Sequence, residues 1–403
     1  HCRPAYASIG RGRDKRPAPP PGFSKSRLGT AVMDHQNISV HSGYRIEVCK
    51  EYDFLSNEYS GLFESAAATA FQSPLWLHEF YKTLVPGSGA EPIIMKIYRD
   101  GQEQPEVILP LVRETYFGIQ IIQPADLGVA DYNAVIGSPK SLEDVCAVPG
   151  LASKILTAMK PYHILLFRKQ PPSTFDASKL FSKARKTPNI SSSYEVEIEQ
   201  THEHWLKTHV SKNMRKGLRR KLSGFQKDHG PLEYSELSNQ ADIENAFEIM
   251  RDLRAGRYET DLFSRPEYFT FYRNLAVKGA QTGMTSTFVG KLENRIMSID
   301  FGVRHKGRFL FLLAAFVDDE DMKRYSLGLL GLNEKIRHEA DLATTIFDFT
   351  IGDEPYKLSF GAEQIPLTNV TVTAGPIGQL AFTAYQSRGP FRRTLKKLMP
   401  KFS

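Results

Sequence analysis

The chain has 403 residues, of which 41% are hydrophobic and 24% are charged, and its formal net charge at pH 7 is +7. A chain of this length exceeds what one compact core usually holds, so two domains of ordinary size are expected. No apolar run approaches the roughly 18 to 20 residues that cross a bilayer, which argues against an integral membrane protein.

The positive charge is concentrated at the two ends of the chain. Residues 1–32 and residues 388–403 each carry a net charge of +6, and with a total of +7 this leaves residues 33–387 at −5. A mildly acidic body is not typical of a general nucleic-acid binder, so we predict no DNA partner.

Residues 1–32 are predicted to form a disordered basic leader. The segment begins with His1, contains the run Pro19-Pro20-Pro21 and has few large aliphatic residues. Two origins remain open. Either Met33 is the natural start and the leader is upstream or added sequence, or the leader is an organelle transit peptide.

The cysteines and the basic tail bear on location. Cys2, Cys49 and Cys146 form no CxxC pair, and no paired histidines complete a ligand set, so we predict no structural metal and a cytoplasmic protein. The tail, residues 388–403, interleaves six cations with apolar residues. It is expected either to make weak contact with the inner membrane surface or to be disordered.

Residues 33–190 alternate strand and helix signals and are predicted to form the first domain. The segments that indicate strands are YRIEVC, EPIIMKIYRD, PEVILPLVRET and HILLFRK. Arg99-Asp100-Gly101 marks a hairpin between the second and third of them. A helix is predicted around FLSNEYSGLFESAAA. These elements indicate an α+β domain with a largely antiparallel sheet.

Residues 191–387 are predicted to form a second α+β domain that opens with the strand YEVEI. Three amphipathic helices follow, in HVSKNMRKGLRRKLSGFQKDHG, DIENAFEIMRDLRAGRY and PEYFTFYRNLAVKGAQTG. Hairpin turns are predicted at Glu293-Asn294 and at Lys306-Gly307. The similar order of elements in both halves indicates a duplicated unit, although no repeat of fixed period is visible.

The first of these helices is strongly basic, and two interpretations of it remain open. In one, it is a solvated helix whose stripe of Met214, Leu218, Leu222 and Phe225 packs on the sheet. In the other, several of its cations, with Arg215 and Arg219 as the candidates, bind a phosphorylated or otherwise anionic substrate.

A helix in SLGLLGLNEKIRHEA follows the apolar strand RFLFLLAAFV. Its first turn contains Ser326, Leu327 and Gly328, with Arg324 just before it. Free backbone amides at a helix N-terminus attract anions, and glycine leaves room for one to approach. The sequence therefore predicts a phosphate site at this turn.

Several segments resemble the CelD-type (cellulose biosynthesis) acyltransferase family, a bacterial branch of the GNAT superfamily. The segments are DLGVADYNAV, SKNMRKGLRRKL, LFSRPEYFTFYRNLA, SLGLLGLNEKIRHEA and FDFTIGDEPYKLSFG. The resemblance covers roughly residues 44–375. Its most specific part is Asp348-Phe349, then Gly352-Asp353-Glu354, then Tyr356-Lys357.

The resemblance implies tandem GNAT-like domains, acyl-CoA or acetyl-CoA as co-substrate and an amine on a small molecule, glycan or lipid-linked precursor as acceptor. It places the pyrophosphate at Arg324 and at Ser326 to Gly328. It places the pantetheine along the preceding strand, at Leu313, Ala314, Ala315 and Phe316. Fem aminoacyl transferases share the fold pair and a segment similar to YKLSFG. Aminoacyl-tRNA as donor, or a non-catalytic scaffold in exopolysaccharide biosynthesis, is therefore an alternative.

Direct acyl transfer needs an aligned amine, a base and stabilisation of the tetrahedral oxyanion. Asp300 is either a base with a raised pKa or a carboxylate at the sheet surface. Asp353, at the end of a strand, is either a base or a turn residue. We expect Tyr356 to return a proton to the thiolate and Lys357 to supply fixed positive charge.

Four further residues are predicted to contact the acceptor. Asp131 and Tyr132 are expected to line the far wall of the site from the first domain. Arg257 and Tyr258 are expected at the acceptor side, and simple helix termination is the alternative reading of that pair.

Overall fold

The computed structural model describes residues 37–198, 201–256 and 261–386. The predicted leader and the predicted tail lie outside these residues, as do Arg257 and Tyr258. The strands, in chain order, are β1 (Asn37–His41), β2 (Tyr44–Cys49), β3 (Glu91–Arg99), β4 (Val107–Tyr116), β5 (Ile119–Pro124), β6 (Ile136–Gly137), β7 (Ile164–Gln170), β8 (Arg185–Pro188), β9 (Ser193–Glu197), β10 (Leu232–Leu237), β11 (Thr285–Leu292), β12 (Arg295–His305), β13 (Arg308–Phe316), β14 (Ile346–Ile351), β15 (Glu363–Ile365) and β16 (Thr368–Thr373).

The helices lie between these strands, and each of the predicted amphipathic segments forms one. The α-helices, in chain order, are α1 (Asn57–Ser65), α2 (Pro74–Glu79), α3 (Val85–Ser88), α4 (Pro139–Ala147), α5 (Leu151–Ala158), α6 (His202–His209), α7 (Lys212–His229), α8 (Gln240–Arg254), α9 (Pro266–Ala280), α10 (Leu327–Asp341), α11 (Pro355–Ser359) and α12 (Gly375–Gln386). Within the described residues, no helix combines the length and apolarity needed to span a membrane.

Two mixed sheets form the framework of the described chain. The first has the strand order β1-β2-β3-β4-β5-β7-β16-β8, with β6 paired to β4, and the second has the order β10-β11-β12-β13-β14-β9-β15. Neighbouring strands are antiparallel except for β5 with β7 and β13 with β14. The predicted α+β fold of mostly antiparallel sheets flanked by helices is confirmed, and both halves of the chain follow one plan.

The last strand, β16, belongs to the first sheet, although it follows all the strands of the second sheet in sequence. Thr368 to Thr373 pair with Gln170 to Ile164 of β7 in the first sheet. The segment 191–387, expected to form one domain, thus contributes β16 to the first sheet, and the elements between β8 and β16 build the second. Both sheets belong to the same compact unit.

A shared apolar core joins the two sheets. Trp76 on α2 is fully buried, and its ring lies 5.2 Å from that of Phe271 on α9. Next to it, Lys278 donates to the buried carboxylate of Glu79 at 2.5 Å. Aromatic side chains in edge-to-face contact bury large areas of apolar surface, so this core fixes loops of the first half against the second sheet.

The basic helix α7 confirms the interpretation that its apolar stripe packs inward. Ser211 caps it by accepting from the Met214 amide at 3.2 Å. Leu218 and Phe225 are buried in a cluster that includes Tyr325 and Leu327. The cations of the opposite face remain exposed. The helix therefore lies along α10 with its charged side outward.

Gly302 allows the close approach of two strands in the second sheet. The register between β12 and β13 shifts between Phe301 and Gly302. A Cβ atom at position 302 would lie 2.2 Å from the carbonyl oxygen of Leu310 and 2.4 Å from the ring of Phe309. No side chain fits there without displacement of the backbone.

Gly302→Ala should therefore lower the free energy of unfolding by about 3 kcal/mol, because the added methyl group collides with backbone rather than with a flexible side chain. Urea denaturation measures the change. The matched control is Gly61→Ala in α1, where the added Cβ meets nothing within 4 Å. That variant should be unchanged or up to about 1 kcal/mol more stable. Equal stability of both variants would contradict the packing argument.

Candidate active site at the fork between two strands

The parallel strands β13 and β14 pair only where they begin. Their paired residues are Arg308 with Ile346, Phe309 with Phe347, and Leu310 with Asp348. Beyond Leu310, β13 continues to residue 316 and β14 to residue 351 without mutual strand pairing in the described structure. The strands thus separate into a fork, and beyond Leu310 and Asp348 their facing edges no longer pair with each other as strands.

A β-bulge lies at the point where the fork opens. The register of β14 against β9 shifts between Asp348 and Thr350, and Thr350 has a φ of 59°. A β-branched residue rarely adopts this left-handed conformation, so other contacts must hold it there. The Thr350 hydroxyl donates to the carbonyl of Phe311 at 3.1 Å, and the Asp348 carboxylate accepts from the Thr350 amide at 2.8 Å.

A tyrosine from the first half of the chain also donates a hydrogen bond to the Asp348 carboxylate. The hydroxyl of Tyr132 donates to Oδ1 of Asp348 at 2.7 Å, and both side chains are buried. Burial raises the pKa of Asp348 to about 7. Tyr132, predicted to line the site, therefore reaches β14 and supports the bulge through Asp348.

An ion pair fixes the loop that carries Tyr132. Asp126 is fully buried, and the ammonium of Lys169 lies 3.1 Å from its carboxylate and donates to the carbonyl of Ala130 at 2.8 Å. Although burial acts to raise it, Lys169 and then Arg168 hold the pKa of Asp126 below its usual value. The loop therefore presents its next residues in one defined conformation.

Asp131 stands beside Tyr132 on this loop, at the edge of the fork. Burial raises the pKa of its carboxyl, and the charge of Lys169, a hydrogen bond with Thr350 and the charge of Lys357 partly offset that effect. The structure thus brings this predicted contact residue to the bulge of β14. A half-buried carboxylate at this place can accept a proton from a group bound in the fork.

Lys357, the predicted source of positive charge, closes the far end of β14. Its ammonium donates to the carbonyls of Thr350, Ile351 and Gly352 at 3.2, 3.1 and 2.9 Å. It also lies 2.9 Å from the carboxylate of Glu354. Only 2% of Lys357 is exposed. The lysine therefore holds the end of the strand in place and keeps a charge beside it.

The other two candidates in this motif lie farther along the turn. Asp353 is exposed, and its carboxylate accepts from the hydroxyl of Tyr194 on β9 at 3.0 Å. Tyr356 is half-buried on α11, with its ring 6.3 Å from that of Phe349. The structure does not place Asp353 at the bulge, where Asp131 lies instead.

The predicted pantetheine residues line the β13 side of the fork. Leu313 and Ala315 are buried in the shared core, while Ala314 and Phe316 are partly exposed. The guanidinium of Arg254 donates to the carbonyl of Ala314 at 3.2 Å. The role of these four residues in binding pantetheine stays a prediction.

The fork leads to the N-terminus of α10, where the sequence predicts a phosphate site. Ser326 precedes the helix with a φ of 51°, and a Cβ atom at Gly328 would lie 2.6 Å from the ring of Phe316. The first amides of an α-helix have no partner within the helix. Glycine therefore lets this turn pack directly on the end of β13, next to the fork.

Lys221 adds a positive charge at this turn that sequence reasoning missed. Its ammonium donates to the Ser326 hydroxyl at 2.8 Å and to the carbonyl of Arg324 at 3.1 Å. Lys221 and Ser326 lie 105 residues apart, so no local pattern could pair them. The guanidinium of Arg324, a predicted ligand, instead pairs with Asp228 at 3.2 Å.

Asp300 does not lie at the sheet surface, and that alternative is wrong. It is 2% exposed beneath α10, where a Cβ atom at Gly331 would lie 2.9 Å from its Oδ2. Burial raises its pKa to about 7, with only partial compensation from the charge of Lys335. The direction of the pKa shift agrees with the other alternative, but α10 covers the carboxylate and separates it from solvent.

The two predicted cations of α7 lie together, away from the fork. Arg215 and Arg219 line a cavity between α6, α7 and α10.

A separate group of possible metal ligands, Glu236, His338 and Glu339, lies on the other side of α10. Both carboxylates already contact the guanidinium of Arg304, at 2.7 and 2.6 Å. A metal ion bound by these three residues would have to displace the Arg304 guanidinium.

A family model agrees with this architecture. Residues 212–358 match the model described as Acetyltransferase (GNAT) domain. The matched residues have the GNAT fold, and the fork lies within them. The matched segment begins at α7 and ends just after Lys357, so it contains β13, β14 and the turn of α10. No curated protein sequence gives a significant match.

Solved structures with low identity share the fold over most of the chain. FemX has 11% identity and a TM-score of 0.57, over 83% of this chain and 99% of its own. A conserved protein of unknown function from Bacteroides thetaiotaomicron has 10% identity and a TM-score of 0.51, over 81% and 99%. The C-terminal domain of a putative lysylphosphatidylglycerol synthetase from Agrobacterium fabrum has 12% and 0.51, over 82% and 95%.

Asp300 should make stability depend on pH. Folding raises its pKa from 3.8 to about 7, so the folded chain binds this proton more tightly than the unfolded chain. The resulting loss of stability begins near pH 4 and is complete above about pH 7. Asp300→Asn should flatten this decline and raise the free energy of unfolding at pH 8, measured by urea denaturation at several pH values. The exposed control Asp353→Asn should keep the wild-type slope, and a wild-type slope in Asp300→Asn would contradict the argument.

Proposed function

We propose that the protein is an acyl-CoA-dependent N-acyltransferase that transfers an acyl group directly to an amine of a glycan, polysaccharide or cell-envelope precursor. The observation that carries this proposal is the fork between β13 and β14, which opens beside the N-terminus of α10. An extended thioester arm fits along the open edge of a strand, and a phosphate fits at a helix N-terminus.

The residues at the α10 turn suit the pyrophosphate of such a donor. The amides of Leu327 and Gly328 supply hydrogen-bond donors, and Lys221 supplies a charge at 2.8 Å from Ser326. A phosphate can accept hydrogen bonds from the backbone amides and from a charged ammonium at the same time. The pantetheine arm would then follow β13 from Phe316 toward Leu313.

In the proposed reaction, the reacting groups meet in the fork, where the two halves of the chain come together. The amine attacks the thioester carbonyl, a C–N bond forms, and the C–S bond breaks as the thiolate of CoA leaves. Asp131 takes the proton from the amine. Tyr356 returns a proton to the thiolate, and the charge of Lys357 at the end of β14 favours the oxyanion.

The GNAT fold is also that of FemX, and an aminoacyl-tRNA donor is the second candidate. The exposed cations of α7, among them Lys212, Lys216 and Arg220, favour it because phosphodiester backbones bind such surfaces. Binding of aminoacyl-tRNA that weakens steeply with salt, without a response to any acyl-CoA, would select this alternative.

Acetyl-CoA should raise the melting temperature, because a ligand bound only by the folded chain stabilises it by about 2.7 kcal/mol at a hundredfold excess over Kd. Lys221→Ala should raise the apparent Kd for acetyl-CoA roughly tenfold, because a charged contact to phosphate is lost. The increase in melting temperature at a given concentration of acetyl-CoA should be smaller as a result. Differential scanning fluorimetry measures both. Lys216→Ala on the same helix is the matched control. The proposal fails if neither acetyl-CoA nor longer acyl-CoAs shift the transition.

Asp131→Asn should reduce the rate of acyl transfer to amino sugars by roughly 100-fold or more, because the amide cannot accept the proton. Thiol release from acetyl-CoA measures the rate. The donor-induced thermal shift should be retained, and Asp353→Asn should keep most activity. In the wild type, the rate should rise with pH as the carboxyl of Asp131 ionises, and that limb should disappear in Asp131→Asn. Full activity in Asp131→Asn would exclude it as the base.

A further inference from the structure

A cavity of about 500 Å³ lies outside the fork, between α6, α7 and α10. It has the size of a site for a small organic ligand. Its walls come from one face of each helix. The lining residues are His202, Glu203, Leu206, Lys207, Arg215, Leu218, Arg219, Leu222, Leu330, Asn333, Glu334 and Arg337.

The apolar part of the cavity is aliphatic. Four leucines form it, of which Leu218 and Leu330 are buried and Leu206 and Leu222 are partly exposed. None of the twelve lining residues is a phenylalanine, tyrosine or tryptophan. A nucleobase usually stacks on such rings, whereas an alkyl chain needs only apolar contact. The lining therefore favours an aliphatic chain.

The charged part of the cavity is positive. Four cations and two carboxylates line it, a net charge of +2. Lys207 on α6 pairs with Glu203 at 3.8 Å, and Arg337 on α10 pairs with Glu334 at 3.4 Å. The Arg215 guanidinium donates to the carbonyl of Leu206 at 3.0 Å, which fixes it at the wall. Arg219 is exposed and makes no ion pair within the described residues.

The polar wall beside these cations adds no charge of its own. His202 is 6% exposed, and its Nε2 lies 3.2 Å from Oδ1 of Asn333. Burial, followed by the charge of Arg337, lowers the pKa of His202 to about 4. The imidazole is therefore neutral at physiological pH. Among the described residues, Arg215 and Arg219 have no carboxylate partner, so these two guanidinium groups supply the attraction for an anion.

We propose that this cavity binds an anionic amphiphile with a single alkyl chain, whose head group contacts Arg215 and Arg219 and whose chain lies on the four leucines. Charge complementarity supports this occupant. It also argues against the two ends of the chain itself, because each end carries a net charge of +6. A phosphate or carboxylate head group pairs well with guanidinium groups.

Isothermal titration calorimetry with dodecyl phosphate, below its critical micelle concentration, tests the proposal on the full chain. Saturable binding of one equivalent is expected. Inorganic phosphate and dodecyl maltoside should each bind at least tenfold more weakly, because each offers only half of the contacts. Binding of inorganic phosphate as tight as that of dodecyl phosphate would overturn the proposal in favour of a simple anion site.

Three single variants locate the site. Arg219→Gln should weaken binding of dodecyl phosphate by about tenfold, because it removes a charged contact to the head group. Leu222→Gln should also weaken it by about tenfold, because it removes apolar contact with the alkyl chain. Arg220→Gln is the matched control, since it neighbours Arg219 on α7 but does not line the cavity. Its affinity should stay within twofold of the wild type. An equal loss in Arg219→Gln and Arg220→Gln would show binding to general surface charge and overturn the proposal.

Competition separates this cavity from the proposed donor site. Saturating acetyl-CoA should leave the affinity for dodecyl phosphate unchanged, because Lys221 and the α10 turn do not line the cavity. Displacement of dodecyl phosphate by acetyl-CoA would make the cavity part of the donor site and overturn the proposal. The readout does not require any acyltransferase activity, so it holds whether or not the proposed function is correct.

Discussion

The fork between β13 and β14 depends on a single carboxylate, that of Asp348. This side chain accepts from the amide of Thr350 and from the hydroxyl of Tyr132, at 2.8 and 2.7 Å. The first contact helps to hold Thr350 in a left-handed conformation, and the second ties Asp348 to the other half of the chain. The bulge lies where the pairing of β13 with β14 ends, so this carboxylate stands at the mouth of the fork.

Many of the strands and helices of both halves could be predicted from the sequence because their signals are local. Alternation with period two predicted strands, and apolar periodicity of 3.6 predicted α7, α8, α9 and α10. The turn at Ser326 could be predicted for the same reason, since a serine and a glycine stand at the start of an apolar helix. The motif around Lys357 pointed to the end of β14.

The contacts that assemble the site could not be predicted, because they join residues far apart in sequence. Tyr132 and Asp348 are 216 residues apart, and Lys221 reaches Ser326 over 105 residues. A strand pattern likewise assigns Asp300 to one face of the sheet but does not say what covers that face. Long-range packing alone decides this, and here α10 covers it.

The return of β16 to the first sheet has a consequence for synthesis of the chain. Strand β7 lies between β5 and β16 in that sheet, but Gln170 meets its partner Thr368 only after nearly 200 further residues have been made. During translation, β7 must therefore wait as an exposed edge while the whole second sheet emerges and folds. The first half therefore cannot complete its own sheet until β16, near the end of the described chain, has been made.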